Sequence, residues 1–380
     1  MPIDLFENIS LIDHHCHGVV RETLDRPRFE RLISESHTPP PAGTSYFQKP
    51  IGLAVRRYCS PVLDLPALAS AEEYCSRRVE LGAEEVNRRL MQATGLGMLL
   101  VDTGHRSDSI TGHEELGEIA DVPSREVVRI EAIAEKVAHS GIAADQFADA
   151  FANALRSAAK HAVGLKSIIA YRASFNVDQT APTDNELRIA VSKWLQTIEA
   201  EGQARLEDPV ILRYVLWTGA DLCRERAFPM QLHVGFGDED IYMHACDPTH
   251  FTDFFKAVEP WAFPVTLLHC YPFHREAGWL AEIFPYVYFD VGAILNYTGP
   301  SHGDIVGEAL ELGPFTKQLF SSDAFGLPEL YYLGAVYFRR GLNKRLNTWI
   351  ESGDCLESDA REIARLIGYQ NTQRIYQLER

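Results

Sequence analysis

The chain has 380 residues, 46% of them hydrophobic and 23% charged, which is ordinary globular composition with core enough to need no disulfide scaffold. A formal net charge of −17 argues against general binding to nucleic acid or an anionic membrane, because both would repel the surface. The seven Cys form no CxxC pair, the N-terminus shows no basic-then-apolar leader, and no apolar run nears the roughly 20 residues of a bilayer span; a reduced, cytoplasmic protein is expected.

Taken in chain order, eight short apolar runs each end in a polar residue, as parallel strands buried on both faces do. Leu11-Ile12-Asp13 leads into His14-His15-Cys16-His17, Met98–Val101 ends at Asp102, and Val127–Ile130 ends at Glu131. Val163–Leu165 ends at Lys166, Pro229–Leu232 at His233, Val265–Leu268 at His269, Val287–Phe289 at Asp290 and Leu319–Ser322 at Asp323. Helical patterns over Ala144–Ala162, Glu186–Trp194 and Val210–Cys223 separate several of them. Strand alternating with helix predicts a parallel sheet, and eight units predict an α/β fold of the (β/α)8, TIM-like barrel kind. The stretch between the first two strands is too long for a crossover. It holds Pro39-Pro40-Pro41 and a charged helical pattern from Leu68 to Leu90. We therefore read 1–380 as one barrel domain with 20–95 as an inserted helical cap, and with helices again at the C-terminal end, from about Glu357.

A barrel gathers the C-terminal ends of its strands at one mouth, where such folds place their chemistry. His15 and His17, two apart on a strand, share a face and can bind one metal ion. His233, His269 and Asp323 end other runs, and buried polar groups need partners. Four His and one Asp converging on one rim point to a divalent cation. Zinc is the first choice, with Mn, Fe or Ni as alternatives, and one or two ions are allowed. Lys166 has three readings: an amine neutral enough to form a bridging carbamate, a ligand for a substrate carboxylate, or a salt-bridge residue.

Several stretches carry a resemblance. Ile-Asp-His-His-Cys-His at 12–17, His233, His269 and Asp323, in this order, resemble the amidohydrolase superfamily and its amidohydrolase-related (amidohydrolase 2) branch. Val-Gly-Leu-Lys-Ser-Ile-Ile-Ala-Tyr-Arg at 163–172, His-Cys-Tyr-Pro-Phe-His-Arg-Glu-Ala-Gly at 269–278 and Ser-Ser-Asp-Ala-Phe-Gly-Leu-Pro-Glu-Leu at 321–330 narrow it further. They are similar to the amidohydrolase-type domain fused to glutamine-synthetase-like proteins and to its free-standing bacterial relatives. The resemblance implies His15, His17, His233, His269 and Asp323 as metal ligands. It also implies that Lys166 matches the position carbamylated in two-metal members.

Expected activity is hydrolysis of an amide C–N bond, with Asp323 as base and then acid, and His269 either a ligand or a carbonyl polariser. The substrate would be a small molecule, such as a γ-glutamyl or other amino-acid-like amide. A metal-dependent decarboxylase or other lyase acting on a small carboxylic acid is the alternative, and a non-catalytic metal-binding barrel the third. For substrate binding, Arg172 could fork onto a carboxylate or brace a loop. Glu131 could hold an ammonium or pair with Arg129. His105 and Arg106, Asn296, and His274 with Arg275 could line the mouth. Asp13 and His14 should face away from the two ligands and serve structure, and Cys16 and Cys270 should be packing residues. A homo-oligomer is left open.

Overall fold

The computed structural model describes residues 2–106, 108–203 and 205–378. Seven parallel strands pair in sequence order: β1 (Leu11–Cys16), β2 (Leu96–Asp102), β3 (Ser124–Arg129), β4 (Gly164–Ser167), β5 (Met230–His233), β6 (Val265–Leu268) and β7 (Val287–Phe289). β1, β4, β5 and β6 are buried at every position, so their polar residues are enclosed along with their apolar ones. Helices form the crossovers that parallel neighbours require. Their starts are legible as caps: Thr183 and Glu186 cap each other reciprocally ahead of Asp184–Glu201, and Asp208 precedes Pro209 at the head of Pro209–Arg226.

The run Leu319–Asp323 corrects the sequence reading, because it is not a strand. It still lies between the two edges of the sheet. Leu319 N donates to O of Phe289, the last residue of β7, while His14 N donates to Phe320 O and Asp323 N to His15 O on the β1 side. These bonds satisfy the edge groups of both strands without a regular ladder.

Between β1 and β2 the chain is largely helical, with Arg26–Leu32 and the long Ala71–Gln92 as its main helices. The latter is bolted to the helix Pro328–Ser352. Arg78 Nε lies 2.6 Å from Glu329 Oε1, Tyr74 donates to the same carboxylate at 2.7 Å, and the Arg78 guanidinium stacks over Phe29. At the other end, Asn371 donates to Phe315 O and Gln318 O, which ties the last helical segment beneath the irregular edge.

Register sets up the interior. Arg129 pairs with Lys166, Lys166 with Gln231 and Gln231 with Thr266, so one transverse row of polar side chains crosses β3 to β6. On β1 the register slips, because Asp13 pairs with Leu99 but Cys16 with Val101. The extra residue falls at His14-His15 and re-aims both side chains, a common device beside active sites.

Candidate metal centre

The mouth collects side chains from β1, β5, β6 and the segment after Phe320. His15 Nε2 lies 3.1 Å from Asp323 Oδ1 and His17 Nε2 3.6 Å from the same oxygen, while His269 Nε2 is 3.2 Å from Asp323 Oδ2. His15, His17 and Asp323 each offer one donor atom, all within 4.8 Å of one another. The His233 ring stands beside that of His269, with centroids 5.0 Å apart. Close as they are, these atoms do not align as hydrogen bonds. His15 Nε2, His233 Nε2 and both ring nitrogens of His269 are buried without a hydrogen-bond partner. A buried polar atom left unmet costs about 1–3 kcal/mol, and a shared cation removes that cost at several atoms together. Imidazoles and a carboxylate are the donors that a zinc-like divalent ion takes, so the residues present fit one.

The imidazoles are held from behind. His15 Nδ1 is 2.7 Å from Gln231 Oε1, and Gln231 Nε2 donates to His14 O and to the Tyr376 hydroxyl. An amide oxygen only accepts, so Nδ1 carries the proton and the lone pair of Nε2 faces the space between it and Asp323, where a cation would sit. His14 reaches the same network through Nδ1, 3.1 Å from the Tyr376 hydroxyl, and its Nε2 lies 2.9 Å from Asp290 Oδ2. Thus His14 does not face away from His15, contrary to the alternation expected of a regular strand, although it is a buried structural residue. His17 Nδ1 is placed by Asp102 O at 3.1 Å, and Arg129 pairs with the Asp102 carboxylate at 2.6 Å.

Backbone strain marks the same spot. His269, Cys270 and Asp323 adopt positive φ of 70°, 56° and 47°. Such conformations cost non-glycine residues of order 1–3 kcal/mol each. The cost is held in place by His269 N donating to Asp290 Oδ1 and Asp323 N donating to His15 O.

Electrostatics favour neutral imidazole donors. Burial, with the charge of Lys166, pushes His15 down to about 3, and burial beside His269 and Lys166 drives His233 well below the usual histidine range. Burial works against charge on Asp323, yet the surrounding imidazoles hold its carboxyl well below the carboxylate range. Burial lowers Lys166 to about 8.

A cavity of about 600 Å³ opens over Asp323, lined by His17, His105, Lys166, Tyr171, Arg172 and His233 among others. His105 packs at a tilt against His17 and edge-on against Phe325. Arg172 reaches the wall but is engaged, 3.1 Å from Glu135 and donating to Leu206 O. Three expected substrate contacts do not reach the cavity. Glu131 opens the helix Ile130–Ala138 rather than ending a strand, and its buried carboxylate accepts from Ser167 and from Ile168 N. Asn296 is buried, its amide oxygen beside Gly334 of the helix Pro328–Ser352. His274 opens the helix His274–Ile283 and pairs with Glu308 at 2.7 Å, while its neighbour Arg275 lies on the surface against Glu311. Asp13 accepts from Ser322 N at 2.9 Å, bracing the strained turn at Asp323. Sequence reasoning missed Gln231, Tyr297 and the cavity residues of the segment after β1, including Glu35 and His37. Gln231 had one usable signal, an amide inside an otherwise apolar run.

The amidohydrolase family profile matches residues 120–378, more than half of the chain. This chain belongs to the amidohydrolase family. Membership implies a divalent metal; His15 and His17 lie outside the matched span and join it through space. The chain is 26% identical to the protein fluG of Emericella nidulans over 409 residues, an alignment that takes in 98% of this chain and 46% of that protein. It therefore spans about half the length of that curated relative. A Lactobacillus casei protein, provisionally named a metal-dependent hydrolase, is 28% identical with a TM-score of 0.83, covering 99% of this chain and 98% of its own. A uronate isomerase from Bacillus halodurans shares the fold at 11% identity and a TM-score of 0.68, covering 99% of this chain and 95% of its own. No helix among the described residues of the chain is long and apolar enough to cross a membrane.

Proposed function

We propose that this chain hydrolyses an amide C–N bond in a small, amino-acid-like molecule, with His15, His17 and Asp323 holding one divalent ion, zinc by donor chemistry. The observation that carries the reading is the three-donor group at the floor of the cavity, ringed by buried imidazole nitrogens that lack partners. The reading takes the seven paired strands and the 318–326 segment together as a (β/α)8-type barrel, the kind of scaffold that places chemistry at this end.

Such an ion, when bound, supplies positive charge that makes water easier to deprotonate and a carbonyl easier to attack. Asp323 takes the proton of the attacking water as the oxygen bonds to the carbonyl carbon. The C–N bond then breaks as Asp323 passes that proton to the departing nitrogen, so one carboxylate serves as base and then acid. His269, 3.2 Å from Asp323, stands where a ring N–H could steady the carbonyl oxygen as it gains charge. His233 and Lys166 line the same floor and place further positive or donor groups at it. Lys166, buried and without an ion-pair partner among the described residues, is the group that a carbamate would modify if a second ion were held.

Metal analysis together with turnover tests this. Protein purified under metal-replete conditions should hold a divalent ion, and His15→Ala with His17→Ala should lose it. Asp323→Asn should cut turnover of a panel of N-acyl and γ-glutamyl amides by about 10²–10⁴-fold while the fold is retained. A chain that carries no ion, or an Asp323→Asn variant with near wild-type turnover, ends the reading. Lys166→Ala separates the one-ion and two-ion forms: unchanged stoichiometry favours one ion.

A further inference from the structure

The cavity is lined by charges of both signs, and the segment between β1 and β2 contributes some of each. Of its cations, Arg31 and Arg106 are paired with no acid among the described residues; Arg106 rests over the ring of Phe325. Of its acids, Glu35 and Asp238 are paired with no cationic nitrogen among the described residues. Glu35 is fixed rather than loose, since the Tyr297 hydroxyl donates to its Oε1 across 262 residues of sequence. The Tyr171 hydroxyl lines the same cavity, its ring packed on that of His233 at 4.3 Å. Gly237 makes room for it, because a Cβ there would lie 2.2 Å from the Tyr171 hydroxyl oxygen.

We propose that Glu35 binds an ammonium group of the substrate, and that the cavity selects a zwitterionic, amino-acid-like amide whose carboxylate lies toward Arg31 and Arg106. A held carboxylate without a counter-ion, inside a cavity, is a costly arrangement unless a cation arrives with the ligand. A hydroxyl could donate a hydrogen bond but leaves the charge uncompensated; an ammonium supplies both, and charge-assisted bonds are roughly twice as strong as neutral ones. A metal ion is the poorer occupant, because the one three-donor cluster among the described residues is His15, His17 and Asp323, and Glu35 is not part of it. In support, burial and the negative charges of Asp323 and Asp238 push the Glu35 carboxyl upward, the environment that a substrate cation would relieve. The inference rests on the proposed function for where the cleaved bond lies.

Calorimetric titration of the purified full chain with L-glutamate and with glutarate, which lacks only the ammonium, tests it without reading turnover. L-Glutamate should bind at least about tenfold more tightly than glutarate. Glu35→Gln should abolish that preference by weakening L-glutamate about tenfold and leaving glutarate within about threefold. Arg31→Met with Arg106→Met should weaken both probes. If Glu35→Gln fails to fold, Glu35→Asp decides: it should weaken L-glutamate more than glutarate. Equal binding of the two probes to the wild type, no binding of either up to about 20 mM, or a preference that survives at position 35 overturns the proposal. Loss of turnover in Asp323→Asn is read in a different assay, so the two ideas fail separately.

Discussion

His15 is oriented by an amide rather than by the more usual carboxylate or backbone carbonyl. Gln231 gives its oxygen to His15 Nδ1 and its two N–H bonds to His14 O and Tyr376, and a flip would set the amide oxygen against His14 O, which can only accept. Gln231→Leu should therefore lower metal affinity by about 10–100-fold, the usual effect of removing a ligand's support. Competition against a metallochromic chelator would read it, and an unchanged affinity would mean that His15 needs no such support. At this scale the sequence was informative where a residue ended an apolar run: His15, His17, His233, His269 and Asp323 all reach the mouth. It misled where an ionisable residue at a run's end was already spoken for. Glu131 sits at such a place, yet Ser167 and Ile168 use its carboxylate, and no local pattern shows that. Glu35 was invisible for the opposite reason, since the partner that fixes it, Tyr297, is far away in sequence.

Among elements, the helical segment between β1 and β2 is anchored by one buried ion pair. Arg78 and Glu329 are almost fully buried, and Tyr74 shares the carboxylate. Arg78→Met leaves Glu329 as an uncompensated buried charge, which costs about 3–5 kcal/mol. Urea denaturation should show that loss as a lower midpoint, and replacing Glu329 by Gln in the same chain should recover part of it. A midpoint within experimental error of wild type would show that the helix is held by apolar contacts alone. Seven of the eight expected strands exist as paired strands. Leu319–Asp323 has the same apolar signature, but it bonds to β7 and β1 one or two residues at a time, and its last residue takes a positive φ. Composition reports burial; it does not report whether a buried segment forms a regular ladder.

For the molecule as a whole, the proposed centre links metal binding to folding, because its candidate donors converge only in the folded chain. A ligand that binds only the native state adds about 2.7 kcal/mol at a concentration 100-fold above its Kd. Treatment with a strong chelator should thus lower the thermal midpoint by several degrees, and adding back zinc should restore it. A midpoint indifferent to chelator would mean that no tightly held ion contributes. The parallel sheet was legible because strands buried on both faces leave a periodic trace, whereas the charged lining of the cavity was not. That lining comes from segments as far apart in sequence as Arg31, on a helix, and Asp238.

Tyr376 stands under the floor of the centre, bonded to both Gln231 and His14, though it comes 361 positions after His15 in the numbering. During synthesis, the hydrogen-bond set beneath the first strand is therefore completed only when residue 376 has emerged. A chain halted before it would still join Gln231 to His14 O and to His15 Nδ1, but would leave Gln231 Nε2 and His14 Nδ1 each short of the hydroxyl they share.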